Sequence, residues 1–102
     1  MGRALAVISE REGDRSWIFE LADANGAPEL ATMTLAWADY DWWSPDGRDT
    51  PSTVALAVAT VFQRSLDAVD GSPLPAHFDA SIVRRRIGGG DELISRELGR
   101  GR

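Results

Sequence analysis

An acidic, aromatic segment at residues 37–50 holds the side chains most suited to chemistry, and it reads WADYDWWSPDGRDT. Four carboxylates lie within eleven residues, close enough in sequence to converge on a hard cation such as Ca²⁺ or Mg²⁺: Asp39, Asp41, Asp46 and Asp49. Their spacing differs from that of an EF-hand loop, and no glutamate closes the segment. The sequence favours a structural alternative, in which residues 44–47 form a turn, Asp49 lies near a helix N-terminus, and the first two aspartates face water.

Two adjacent tryptophans, Trp42 and Trp43, follow Tyr40 in the same segment. In an extended segment neighbouring side chains point to opposite faces, so one indole is expected to pack inward and the other to lie at the surface. The sequence does not say which is which. Because a large rigid ring at the surface is typical of recognition, Tyr40, Trp42 and Trp43 are candidate binding residues.

A basic segment near the C-terminus combines Arg84, Arg85 and Arg86 with three glycines at 88–90 and then Asp91. Glycines before a helix can expose backbone N–H groups, and arginines can bind an anion. No Walker or dinucleotide-binding motif is present, and the expected capping residue is itself an anion. We therefore interpret the glycines as a linker between two short helices, and the three arginines as candidate binding residues of opposite charge to the acidic segment.

Catalytic constellations are harder to find. His77 is the only histidine, and Asp79, two residues on, would not share a helix face with it. Thiolate and Schiff-base chemistry are excluded, because the chain has no cysteine and all eleven of its basic residues are arginine. Whether the protein is an enzyme is left open, with the balance against it, and no cofactor is expected.

The composition, with 43% hydrophobic and 26% charged residues in 102, predicts a single domain over residues 1–98 with a frayed tail at 99–102. The net charge is −5, and residues 1–50 hold ten acids against four arginines, which argues against nucleic-acid binding. No apolar run is long enough to span a membrane. The absence of cysteine and of a signal-peptide pattern suits a cytoplasmic protein, and the use of arginine without lysine suggests a bacterial one.

Three stretches predict antiparallel strands, at residues 4–9, 16–22 and 31–37, with turns at 10–15 and at Asn25-Gly26. The core face of the second and third strands is predicted from alternating positions, which are Trp17, Phe19, Leu21, Met33, Leu35 and Trp37. Together they form a meander that needs a cover on its apolar face.

A long amphipathic helix over residues 51–69 supplies that cover. Thr50 is its expected N-cap, Pro51 its first residue and Gly71 its terminator. Its core face is predicted at spacings of three and four, chiefly by Val54, Val58, Val61, Phe62 and Leu66.

Two short helices are expected after Gly71. The first follows Asp79 and runs to residue 87, although a strand over 80–87 is the alternative; the second follows Asp91 and runs to residue 98. The predicted fold class is α+β, an antiparallel three- to four-stranded meander covered on one face by the 51–69 helix, with two short C-terminal helices.

The expected function is a non-enzymatic protein-interaction module that forms a homodimer or binds a protein partner. The alternative is a domain, possibly enzymatic in role, that binds a small molecule or divalent metal through the acidic segment at 39–49.

Overall fold

The computed structural model describes residues 4–23 and 29–100 as a four-stranded sheet with one long helix and three shorter ones. In chain order the elements are β1 (Leu5–Gly13), β2 (Ser16–Asp23), β3 (Glu29–Ala36), α1 (Trp37–Trp43), α2 (Pro51–Val69), β4 (His77–Asp79), α3 (Ser81–Arg86) and α4 (Gly90–Arg100). The sheet order is β1-β2-β3-β4. The predicted α+β class, the long helix over 51–69 and the two short C-terminal helices are confirmed. The predicted turn at Asn25-Gly26 lies outside the described residues.

The alternation in β2 and β3 places one face of the sheet in the core. Phe19 lies opposite Met33 in the antiparallel register, and both side chains are fully buried. Leu21 and Leu35 are buried on the same face, while Thr32, on the other face of β3, is only half-buried. The pattern read from these two strands therefore identifies the core face correctly.

The first hairpin is tighter than predicted. A turn over residues 10–15 was expected, but β1 continues to Gly13, which pairs with Ser16. Arg15 takes a positive φ of 48° in the two-residue turn, and a Cβ on Gly13 would lie 2.8 Å from the Ser16 Oγ. A side chain at position 13 would therefore have to displace the Ser16 hydroxyl. An irregularity in the register between Val7 and Ser9 interrupts β1 near its start.

The fourth strand runs parallel to its neighbour, which departs from the antiparallel meander of the prediction. The Thr32 N–H donates to the Ala76 carbonyl and the Ala80 N–H donates to the Thr34 carbonyl, each at 2.8 Å. A parallel pair needs a long crossover connection, and α1 and α2 provide it between β3 and β4. Phe78, at the centre of β4, is buried with its ring edge-on to Phe62 of α2 at 5.1 Å.

The long helix begins and ends where its sequence predicts. The Thr50 hydroxyl accepts a hydrogen bond from the Thr53 N–H at 3.2 Å, Pro51 is the first helical residue, and Gly71, just past the end, has a φ of 71°. Val54 and Val58 are fully buried against the sheet, as part of one apolar core that also includes Ile94 of α4. In the part of the chain that the structure describes, no helix is long and apolar enough to cross a membrane.

The largest difference from the prediction lies at Trp37, which was expected to extend β3 and fill the core. Instead β3 ends at Ala36, and Trp37 begins α1 with 45% of its surface exposed. Ala36 pairs with Ser16, the first residue of β2, and the Trp37 N–H donates to the Arg15 carbonyl at 3.0 Å in the turn before that strand, so the pairing with β2 ends there. A helix then satisfies the backbone that the sheet no longer can.

A three-glycine turn joins α3 to α4. Residues 81–86 are helical, so the strand alternative for 80–87 is wrong. Gly89 has a φ of 71°, and a Cβ on Gly90 would lie 2.7 Å from the carbonyl oxygen of Val83. The second helix starts at Gly90, one residue before the expected cap, and continues to Arg100, two residues beyond the predicted end.

We predict that Gly90→Ala lowers the free energy of unfolding by about 2 kcal/mol, because the new methyl group would overlap a backbone carbonyl that cannot easily move. Gly88→Ala is the matched control, since a Cβ there meets nothing within 4 Å and its change should stay within about 0.5 kcal/mol. Chemical denaturation of both variants measures the difference. Equal losses would contradict the proposed close approach of α4 to Val83.

Candidate functional site

The helix α1 arranges the aromatic segment differently from an extended chain. At about 100° per residue, Trp37, Ala38, Asp41 and Trp42 fall within an arc of about 140°, and all four are exposed. We call these four residues the outer face of α1. Asp39 and Trp43, one helical turn apart on the other side, are buried. The sequence predicted one buried and one exposed indole, and this is confirmed. Trp42 is the exposed one, with 63% of its surface exposed, whereas Trp43 has 6%.

Both of these indoles donate to a single carboxylate on α4. The Trp43 Nε1–H donates to Asp91 Oδ1 at 2.8 Å, and the Trp42 Nε1–H donates to Asp91 Oδ2 at 3.0 Å. Asp91 was expected to cap the last helix, but its side chain turns instead toward α1. Both carboxylate oxygens are used, so Asp91 fixes the two rings relative to α4.

Arg84 of α3 completes this arrangement. Its Nε–H donates to Asp91 Oδ1 at 3.4 Å, and its NH1 group forms an ion pair with Asp39 Oδ1 at 3.2 Å. The guanidinium also lies 5.0 Å from the ring centroid of Trp42 and 5.2 Å from that of Trp43, within cation–π range. We call Asp39, Trp42, Trp43, Arg84 and Asp91 the Asp91 cluster.

The two carboxyl groups of the cluster have shifted pKa values in opposite directions. Burial raises the pKa of Asp39, and the nearby Asp79 and Asp91 charges add to this, although Arg84 opposes it. Burial also acts to raise the pKa of Asp91, but the hydrogen bonds from Trp43 and Trp42 and the charge of Arg84 outweigh it, so the pKa of Asp91 is lowered. Asp91 is thus held as the acceptor that the indoles need, whereas Asp39 depends on Arg84 for its charge.

These shifts act on stability in opposite senses. The depressed pKa of Asp91 contributes stability that is present above the ordinary value of 3.8 and is lost as the pH falls through the folded-state pKa. The raised pKa of Asp39 means that its ionised form is disfavoured in the fold, and this penalty is relieved as the pH falls through its pKa. Protonation of Asp91 at low pH therefore weakens the hydrogen bonds from the two indoles to α4. Protonation of Asp39 removes the negative charge that Arg84 neutralises.

Tyr40 of α1 contacts both the sheet and the connection to α2. Its hydroxyl donates to the backbone carbonyl of Asp49, and its ring is edge-on to Trp17 at 5.3 Å between centroids. The Asp49 N–H donates to Ser44 Oγ at 3.3 Å, and both of these residues are buried. These contacts close the connection from α1 to α2, so this predicted binding residue is partly enclosed.

The four aspartates predicted as metal ligands are not gathered at one point. Asp39 contacts Arg84, Asp49 contacts Ser44, and Asp46 accepts from the Arg48 N–H at 3.2 Å. Within residues 4–23 and 29–100, no group of three or more histidine or acidic side chains is arranged to hold a metal ion.

The remaining candidates lie at the surface. Arg85 and Arg86 are exposed in the last turn of α3, where a positive charge suits the helix dipole. His77 is exposed in β4. A groove of about 280 Å³ lies between α2 and α4 and is lined by Val61, Arg64, Ser65, Leu93, Arg96 and Glu97. Within it, Arg64 forms an ion pair with Glu97.

Asp91 is the residue of this site that the sequence does not reveal. It lies 48 residues from Trp43, and no local pattern links an acid at the start of one short helix to two indoles at the end of another. Its only sequence signal is its place after the glycines, which predicts a cap and not an acceptor for side chains.

We predict that Asp91→Ala lowers the free energy of unfolding by about 2 kcal/mol, because the buried Trp43 Nε1–H loses its acceptor. Glu92→Ala is the control, since it removes a neighbouring carboxylate from the same first turn and so matches the loss of charge at the helix N-terminus. Its cost should not exceed about 1 kcal/mol. Denaturation curves that coincide for the two variants would show that the indole bonds contribute nothing.

We also predict that Arg84→Gln raises the pKa of both Asp39 and Asp91, because it removes the positive charge that favours their ionised forms. Arg86→Gln should change both pKa values far less, since the ion pairs with Asp39 and Asp91 are made by Arg84. Carboxyl carbon shifts followed by NMR during a pH titration report each aspartate separately. An unchanged pKa at Asp39 in the Arg84 variant would contradict the ion pair.

No protein-family model, no curated protein and no solved structure matches the chain.

Proposed function

We propose that this protein is a non-enzymatic protein-interaction module whose contact surface is the outer face of α1. The observation that carries the proposal is the indole of Trp42, which is mostly exposed and yet held by Asp91 and Arg84. Large aromatic rings in water are a common feature of contact surfaces, and tryptophan is among the residues most enriched at their energetic centres. The other exposed indole of α1, Trp37, lies at the opposite edge of the same face.

The fixed position of Trp42 supports this proposal more than its exposure alone. A free side chain loses rotamer freedom when a partner orders it, and that loss weakens binding. Trp42 is already ordered by a hydrogen bond at 3.0 Å and by the guanidinium 5.0 Å from its ring. A partner that packs on its outward face therefore meets a surface prepared for contact.

The proposed partner is a protein, either a second copy of this chain or a different one. The arginines at 84–86 border the outer face of α1 through the contact of Arg84 with Trp42, and they supply a basic second contact beside the acidic one. Indoles, arginines and a carboxylate side by side suit a protein surface, since aromatic residues and arginine are enriched where proteins meet.

The alternative of a metal or small-molecule site at 39–49 is less well supported. It would require Asp39, Asp41, Asp46 and Asp49 to converge, whereas Asp39 and Asp49 are engaged with Arg84 and Ser44. A cytoplasmic location and a bacterial origin belong to the proposal as well, on the strength of the lack of cysteine and the exclusive use of arginine.

We predict that Trp42→Ala weakens partner binding or self-association by at least about tenfold, as expected when a central indole is truncated. Val69→Ala is the control, because Val69 is an apolar side chain with 81% exposure at the end of α2 and away from α1 in sequence. Sedimentation measures self-association, and co-precipitation with the immobilised domain measures partner binding. Near-ultraviolet circular dichroism of each variant establishes that the fold is kept.

A monomer at high concentration together with no captured protein would remove the basis of the proposal. The same holds if Trp42→Ala and Val69→Ala bind equally well.

A further inference from the structure

Opposite charges lie side by side on the surface around α1. Asp41, on the outer face, is exposed, and its carboxylate makes no hydrogen bond or ion pair with the side chain or backbone of any other described residue. Arg85 is likewise exposed and unpaired within the described part of the chain. Arg85 follows Arg84, whose guanidinium lies over the ring of Trp42. The positive charge of Arg85 also acts to lower the pKa of Asp39 in α1. The exposed side chain of Trp42 links these charges, since Asp41 precedes it in α1 and Arg84, the neighbour of Arg85, contacts its ring. The surface around Trp42 thus carries an unpaired anion, an unpaired cation and an exposed indole.

We infer that this surface binds the same surface of a second copy about a twofold axis, with Asp41 of each copy facing Arg85 of the other. The inference rests on the proposed function and names its partner. In a twofold contact each patch meets itself, so each pair that forms once forms twice. A patch of a single charge would repel its copy, whereas a patch with both charges can satisfy both of them.

The geometry of α1 suits such a contact. Ala38 lies between the two indoles of the outer face and has no bulk to hold the two helices apart. The ring of Trp42 already accepts the guanidinium of Arg84 on one side, which shows the kind of group that its exposed side can accept. The Arg85 guanidinium of the second copy is a group of that kind.

Net charge sets a limit on the strength of this dimer. Each copy carries a charge of −5, so the two repel at a distance and the attraction has to come from local pairs. The face of a seven-residue helix is also small beside the roughly 800 Å² per partner of a standard interface. We therefore expect a weak, concentration-dependent dimer that is weaker at about 0.5 M than at about 0.05 M ionic strength.

Charge exchange across the axis tests this inference directly. Asp41→Arg places two cations opposite each other, and Arg85→Asp places two anions opposite each other, so each variant alone should dimerise at least about tenfold more weakly than the parent chain. An equimolar mixture of the two variants should recover dimerisation as a heterodimer. The double variant should also recover it, with the net charge of −5 unchanged. Sedimentation velocity over a range of concentrations measures all four samples.

A charge-changing control is needed beside these variants. Glu12→Arg alters an exposed acid on β1 by the same two charges and should leave dimerisation unaffected. Thermal unfolding of each variant shows whether the fold is intact, and the recovery in the mixture cannot come from misfolded chains.

The outcomes separate this inference from the proposed function. A parent chain that stays monomeric, or single exchanges that leave dimerisation unchanged, would overturn the twofold contact at Asp41 and Arg85. If the monomeric chain still captures a different protein through Trp42, the interaction function stands without the second copy. If dimerisation persists but depends on neither Asp41 nor Trp42, both the inference and the proposed surface fail.

Discussion

The carboxylate of Asp91 is the contact on which the arrangement of the small helices depends. It accepts hydrogen bonds from two indoles of α1 and from the guanidinium of α3, while it belongs to α4. Helices of six and seven residues are too short to persist alone in water, so α1 and α3 need contacts outside themselves. A single carboxylate that joins α1, α3 and α4 meets this need with few residues.

The apolar core and the Asp91 cluster stabilise different parts of the fold. Phe19, Met33 and Val58 belong to the large apolar core in which the face of the sheet is buried under α2. α1 adds the buried Trp43 to that core, and Tyr40 packs against it. The direction of α1 is set by the end of β3, by the Tyr40 hydroxyl on the Asp49 carbonyl, and by the indole bonds to Asp91. The surface that Trp42 offers is therefore a product of polar contacts laid over an apolar frame.

Periodicity was enough to predict the parts of the fold that repeat over several turns or pleats. The helix at 51–69, its cap at Thr50 and the buried pairs Phe19 and Leu21 of β2 and Met33 and Leu35 of β3 could be read from spacing, because one face of each element packs on the core. The seven residues of α1 hold too few turns for such a pattern, and their aromatic residues favour strands, so the segment was predicted as extended. The parallel pairing of β4 could not be read from three residues either, since it depends on where α2 delivers the chain.

The candidate site, too, could be predicted from the sequence only in part. Trp42, Trp43 and Arg84 were singled out by residue type, and the structure brings them together, but the acid that joins them is 48 residues from Trp43 and gave no local signal. Tyr40 was singled out on the same ground and is partly enclosed between Trp17 and Asp49. Residue type indicates which side chains are able to recognise a partner, whereas long-range contacts decide which of them are presented.

The two edges of the sheet have a consequence for how copies of the chain can meet. An exposed edge strand invites another strand to pair with its backbone, which leads to open-ended aggregation. Here β1 is interrupted between Val7 and Ser9 and carries charged residues at 10–12, and β4 at the other edge is only three residues long. Neither edge offers a long regular ladder to a neighbour. The proposed contact between copies uses side chains, which can close in pairs, whereas backbone pairing between edge strands has no natural end.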